Sequence, residues 1–314
     1  MISDSGGFED RSFNQSGWDG MKKAQDQLGV TIKSAESKDS TDYEPNLASM
    51  QANNCDLTFT VGFNLADATK AQATANPNSH YAIIDYTEDT LPSNLKPLVF
   101  KTSDAAFLAG YVSAAYSKTG VVGTFGGMQF PTVTIFMDGF VDGVAQYNKD
   151  FSKDVKVLGW DKETQTGSFT GDFENQSKGQ ATAQNMIENN ADVIMPVAGP
   201  VGLGAAAAAK ETGKAVIVGV DADWFETAPD YKDIVLTSVI KEIGASVYDT
   251  IKATQSGSFS ATPYIGTLAN SGVAIAPYHN FDSQISQEVK DKVTQLTKDI
   301  IAGTIKVTSP SDPK

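Results

Sequence analysis

Residues 191–223 read ADVIMPVAGPVGLGAAAAAKETGKAVIVGVDAD. Two short apolar runs rich in Val, Ile and Met flank an alanine-rich stretch, and Gly199, Gly202 and Gly204 mark the first join. Runs of this length and composition suit buried strands, and the central stretch suits a helix. Strand, helix, strand in that order is one crossover of a parallel sheet covered by helices.

Working outward, the alternation continues on both sides. Upstream lie VVGTFG, a helix around Ile135 to Asn148, VKVLGWD and a helix near Gly179 to Asn189. Downstream come DIVLTSVIKEIGASVYDTIKATQSG, GVAIAP, an amphipathic helix from about Ser286 to Ala302, and TSPSDPK, which reads as loop. Before LVFKTSDAAFLAGYVSAAYSK there is a separate series. It comprises a helix from about Asn14 to Leu28, VTIKSAES, a helical stretch around Tyr43 to Asn53, CDLTFTVG, a helix near Asp67 to Ala75, and HYAIID. Two βα series predict two sheets, and 314 residues exceed the size at which single cores stop growing.

Composition excludes several function classes. The formal net charge is −14 and Arg11 is the only arginine, so the basic footprint of nucleic-acid binding is missing. No apolar run approaches the roughly 20 residues that cross a bilayer, and Met1 opens neither a charged leader nor an apolar signal region, so the chain reads as soluble. Cys55 is alone and reads as a buried structural thiol. His80 and His279 are the only histidines and share no metal-ligand spacing, which removes support for zinc and for histidine-based nucleophilic chemistry. No metal and no cofactor are expected.

Ligands of open parallel sheets bind beyond the carboxyl ends of strands. Those ends carry Gly62 and Phe63 after TFTV, Asp85 after HYAII, Gly199 after DVIMPVA, and Asp221 and Asp223 in GVDAD. Taken singly, the glycines could be tight turns and the aspartates helix caps. Their recurrence at one edge of both series favours a ligand surface. The opening stretch SDSGGFEDRSFNQSGWDG poses the same choice. Asp4 to Gly7 suit a tight turn, Ser12 or Asn14 a helix cap, and Phe13 a packed staple. A loop offering an aromatic plate and hydrogen-bonding groups at a helix N-terminus equally suits a small-molecule site.

In order along the chain, DSGGFEDRSFNQSGWDG, TVGF, NADVIMPVAGPVGLG, AAKETG, VGVDAD and VLTSVIK resemble the basic membrane protein (BMP) family of substrate-binding lipoproteins of ABC transporters, whose characterised members serve purine nucleosides. The likeness covers nearly the whole chain. It implies a type I periplasmic-binding-protein fold, with two Rossmann-like lobes, an interlobe cleft and three hinge crossings near Thr102, Lys241 and Leu268. The lobes would be residues 1–102 with 242–268, and 103–241 with 269–314.

The same resemblance implies that Asp4, Phe13 and Asn14 face the cleft and that a second aromatic closes the other face of the base. Phe169, by its Gly-Ser-Phe match, and Phe173, by its spacing to Lys178 and Gly179, are the two candidates, and Phe173 is favoured. Asp221 matches the family's acidic ligand residue, Asp85 occupies the comparable strand end, and Lys241 could donate to base or ribose. A solvated helix residue is the plain alternative for Lys241. Gly62, Phe63 and Gly199 complete the expected ligand-binding set. The implied partners are a purine nucleoside and an ABC permease, with a monomeric receptor outside the cytoplasm, lipid-anchored in its precursor. The lipobox is not in this sequence, and the first strand reads as clipped or missing. A nucleoside-processing enzyme or a ligand-sensing module on the same fold are the alternatives.

Overall fold

Repeated apolar runs become two six-stranded sheets. The computed structural model describes residues 1–313 and divides into two units. Unit 1 holds Met1–Phe100 and Glu242–Gly266, and unit 2 holds Lys101–Lys241 and Thr267–Asp312.

The unit 1 sheet runs Tyr264–Gly266, Leu95–Phe100, His80–Ile84, Leu57–Val61, Ile2–Ser3, Ala35–Glu36, with every pairing parallel. The first strand is short rather than missing. Ile2 and Ser3 pair with Thr60 and Val61 on one side and with Ala35 and Glu36 on the other, and Met1, Ile2 and Ser3 are buried. Of the expected strand in VTIKSAES only Ala35–Glu36 forms, because its sole neighbour offers two residues to pair with and the preceding residues lie largely exposed at the sheet edge.

The unit 2 sheet runs Val273–Ile275, Val235–Lys241, Val216–Asp221, Val193–Val197, Val121–Gly126, Lys156–Leu158, parallel except for the antiparallel edge at Val273–Ile275. VKVLGWD breaks into two strands at Gly159, whose φ of +86° strands disfavour, and Trp160–Asp161 turns away to pair with Thr166–Gly167. The helix Thr102–Tyr116 is buried on every face as far as Ala114. It lies so close to the helix Pro131–Phe151 that a Cβ on Gly143 would sit 1.9 Å from the Phe107 carbonyl oxygen. The helix Gln287–Ile301 buries Val289, Val293, Leu296 and Ile300, the stripe its amphipathic spacing predicts. The final segment is irregular yet pinned. Ser309 donates to Asp138 at 2.6 Å, and the Ser103 hydroxyl donates to Asp312 at 2.6 Å. Among the described residues no helix is long and apolar enough to cross a membrane.

Candidate functional site

In unit 1 the carboxyl ends of adjacent strands deliver Asp4, Gly62 and Asp85. Asp4 follows the strand Ile2–Ser3 directly, and its Oδ1 accepts from the Asn14 side-chain amide at 3.0 Å. A Cβ at position 62 would fall 2.4 Å from Asp4 Oδ2, so only glycine lets the carboxylate occupy that place. Asp85 is buried and takes φ of +65°, a left-handed conformation that non-glycine residues seldom adopt. Burial pushes the Asp4 carboxyl up to about 7, against the Asn14 hydrogen bond and with the charges of Asp10 and Asp85.

The helix Phe13–Leu28 that carries Phe13 and Asn14 is anchored by neither Ser12 nor Asn14. Ser12 stands at the cap position but its side chain does not cap the helix, and Asp10 does the work, accepting from the backbone N–H groups of Ser12 at 2.9 Å, Asn14 at 2.8 Å and Gln15 at 3.0 Å. A carboxylate is the stronger acceptor for several orphan N–H groups and complements the helix dipole. Phe8 is buried and stacked on Trp18 at 5.0 Å between ring centroids, and Phe13 is partly buried. Phe63 meets Tyr86 edge-on at 5.3 Å, and Tyr86 in turn donates to Glu88 at 2.6 Å.

Unit 2 repeats the backbone device with different chemistry. Asp221 ends the strand Val216–Asp221 with φ of +68° and is buried. Lys241 is the last residue of the strand Val235–Lys241 and only 3% exposed, which excludes a solvated helix position. Its Nζ lies 3.8 Å from Asp221 Oδ1 and 5.6 Å from the centroid of the Phe136 ring. The segment after Asp221 is clamped on several sides. Asp223 caps the short helix Trp224–Thr227 through the Phe225 N–H at 3.0 Å and pairs with His279 Nε2 at 2.7 Å, while the Phe225 and His279 rings stack at 3.9 Å. Gly199 has φ of +51°, and a Cβ there would meet nothing within 4 Å.

The two aromatic candidates rest on the neighbouring glycines Gly126 and Gly127. Ser168 to Gly171 run beside them, with hydrogen bonds from Gly126 N to Ser168 O at 3.0 Å, Thr170 N to Gly126 O at 3.0 Å and Gly171 N to Gly127 O at 2.8 Å. Phe169 lies over Gly126, meets Trp160 edge-on at 5.9 Å and lines a cavity of about 680 Å³ with Leu158, Thr182, Asn185 and Met186. Phe173 lies over Gly127 and meets Phe130 at 6.1 Å. Its loop is held by Asp172, which accepts from Asn175 N at 2.7 Å and pairs with Lys178.

Phe8, Asp10, Phe136 and His279 are the residues that sequence reasoning passed over. For Asp10 a signal existed, since an acceptor two residues before a cap position is placed to bond the first turn. The contact of Lys241 with Phe136 joins residues 105 apart in the chain and leaves no local trace.

Over residues 1–310 the chain matches the family model described as Bmp, ABC transporter substrate-binding protein PnrA-like. It is similar to the ABC transporter nucleoside-binding protein BmpA of Lactococcus lactis subsp. cremoris, 33% identical over 330 residues that cover 99% of this chain and 88% of the relative. Basic membrane protein A of Borreliella burgdorferi is also 33% identical, over 310 residues covering 97% and 86%. Among solved structures, an ABC transporter system solute-binding protein from Aeropyrum pernix K1 has a TM-score of 0.88 at 24% identity, covering 99% of this chain and 93% of that one. A periplasmic solute-binding protein of Actinobacillus succinogenes 130z with bound D-allose has a TM-score of 0.63 at 13% identity, covering 89% and 96%. These likenesses show the two-lobe α/β fold of periplasmic binding proteins.

Proposed function

Because the chain belongs to the Bmp family of PnrA-like ABC transporter substrate-binding proteins, we propose that it is an extracytoplasmic receptor that captures a purine nucleoside and passes it intact to an ABC permease. Substrate-binding proteins of ABC importers work outside the cytoplasm and present a small molecule to a transporter, and the family is one of binding proteins rather than enzymes. The nucleoside, and capture without turnover, are our reading.

The observation that carries it is the buried Asp221 and Lys241 pair. A carboxylate fixed in left-handed backbone at a strand's carboxyl end, with a lysine 3.8 Å away as counter-charge, is an acceptor suited to the vicinal hydroxyls of ribose. The lysine offsets the desolvation that would otherwise penalise it. In this reading Phe13 and Phe173 offer flat faces to the base, Asp4, Asn14 and Asp85 meet polar groups of the ligand, and Gly62, Phe63 and Gly199 shape the surface. The relative named as nucleoside-binding supports the ligand class.

The test is to denature the purified protein, identify what it releases by mass spectrometry, and then incubate cleared protein with inosine, adenosine and guanosine. Retention of nucleoside with no free base formed is the expected result. Formation of free base would make the protein an enzyme, and no retention would remove the nucleoside from the account.

A further inference from the structure

Resting on that nucleoside reading, we propose that His279 is a positioning residue for the ribose contact: through Asp223 it holds the loop that presents Asp221. Asp221 sits at the centre of a three-residue turn, closed by Ala222 N donating to Val220 O at 2.9 Å, with φ of +68°. A turn of this size with positive φ at a non-glycine centre is strained. Such backbone persists only where its surroundings over-determine it, and what over-determines it is a pointer to function.

Two sets of contacts hold the turn. The first belongs to Trp224, whose N donates to the Ser238 hydroxyl at 3.0 Å and whose Nε1 donates to Val220 O at 3.0 Å. Its ring lies so near Gly219 that a Cβ there would fall 2.5 Å from it. The second comes from His279, 56 residues beyond Asp223 in the chain. A carboxylate only accepts, so His279 Nε2 carries the hydrogen given to Asp223 Oδ2 at 2.7 Å. Asp223 Oδ1 accepts from Phe225 N at 3.0 Å, and the Phe225 and His279 rings stack 3.9 Å apart with 7° between their planes. One oxygen of Asp223 thus caps its own helix, and the other ties the loop to a distant segment.

That distant segment is built as a support. His279 takes φ of +42°, a second non-glycine residue in the left-handed region, so strain is held on both sides of the contact. Directly after it, Asn280 donates to Asp233 at 3.2 Å, and Phe281 is buried and meets Tyr116 edge-on at 5.5 Å. The His279 and Asp223 side chains are only 17% and 19% exposed, so water competes little for their bond. A group presented to a ligand binds more tightly when the contacts behind it fix its backbone beforehand. His279 therefore acts on affinity for the sugar, through Asp221, without touching the ligand.

The experiment is calorimetric titration of wild type, His279→Phe and His279→Gln with a purine nucleoside and with its free base, each variant also melted to confirm its fold. His279→Phe keeps a ring for the stack and loses the donor; His279→Gln keeps a donor in the place of Nε2 and loses the ring. His279→Phe should weaken nucleoside binding about ten-fold and base binding less than about two-fold, and His279→Gln should recover most of the loss. In an Asp221→Ala background, His279→Phe should cost nothing further, since the group it positions is gone. Unchanged nucleoside affinity in His279→Phe overturns the proposal. So does an equal loss for nucleoside and base, a loss that persists in the Asp221→Ala background, or a His279→Gln variant as weak as His279→Phe. The Gln arm carries the test by itself where the Phe variant folds poorly: a folded His279→Gln that has lost ten-fold in nucleoside affinity contradicts the claim. Failure of the wild type to bind any nucleoside would instead overturn the nucleoside reading.

Discussion

Asp85 in unit 1 and Asp221 in unit 2 sit at the same place on their sheets, buried at a strand's carboxyl end with φ near +65°. Different neighbours stand beside them. Asp221 has a buried lysine 3.8 Å away, with the Phe136 ring beneath that lysine's ammonium. Asp85 shares its end of the sheet with Asp4 and Asp10, and burial above all, with the like charges adding to it, pushes Asp4 up to about 7. One backbone device thus carries two electrostatic solutions. An ion pair gives a fixed acceptor at the cost of holding a lysine out of water, whereas a group of carboxylates gives an acceptor whose state follows pH.

The largest effect that would break this comparison comes from removing the counter-charge. Lys241→Met should leave Asp221 buried and unbalanced, costing on the order of 3–5 kcal/mol of stability, and adding Asp221→Asn should recover part of the loss. Asp4→Asn should cost little or stabilise the protein above neutral pH. The sign follows from linkage: a carboxyl whose folded pKa is raised contributes stability at low pH that is lost as pH rises toward about 7. Thermal unfolding of the four proteins at neutral and alkaline pH checks all of these outcomes. Equal losses from Lys241→Met and Asp4→Asn would erase the contrast.

A smaller effect sharpens the aromatic assignment. Phe173→Ala and Phe13→Ala should each weaken nucleoside binding by about 1–3 kcal/mol with little change in unfolding temperature. Phe169→Ala should lower the unfolding temperature more than the affinity, because its ring packs on Gly126 and Trp160 and lines the separate cavity. Fluorescence titration and melting curves on the three variants decide it, and a reversed order for Phe169 and Phe173 would exchange their roles.

The two sheets were legible because strand and helix alternate with clear apolar runs, and the strand-end aspartates were legible because they terminate those runs. Ile2–Ser3 was not, since a two-residue strand has no periodicity to read. The cap on the first helix went to Asp10 instead of Ser12 or Asn14, a choice made by side-chain geometry that composition leaves open. Lys241 could be read as a helix residue because it stands at the join of strand and helix, and only the sheet register fixes it as the strand's last residue. The electrostatics of Asp4 depend on residues 4, 10 and 85 meeting in space, which no local pattern announces.

The central claim is that Asp221 accepts from ribose, and a cycle between protein and ligand tests it most directly. Calorimetry should compare wild type and Asp221→Ala, each titrated with a purine nucleoside and with its free base. The account predicts a loss of about 2–4 kcal/mol for the nucleoside and a far smaller loss for the base, which binds the wild type more weakly from the outset. Equal losses for nucleoside and base would contradict it and leave Asp221 as a support for its own loop.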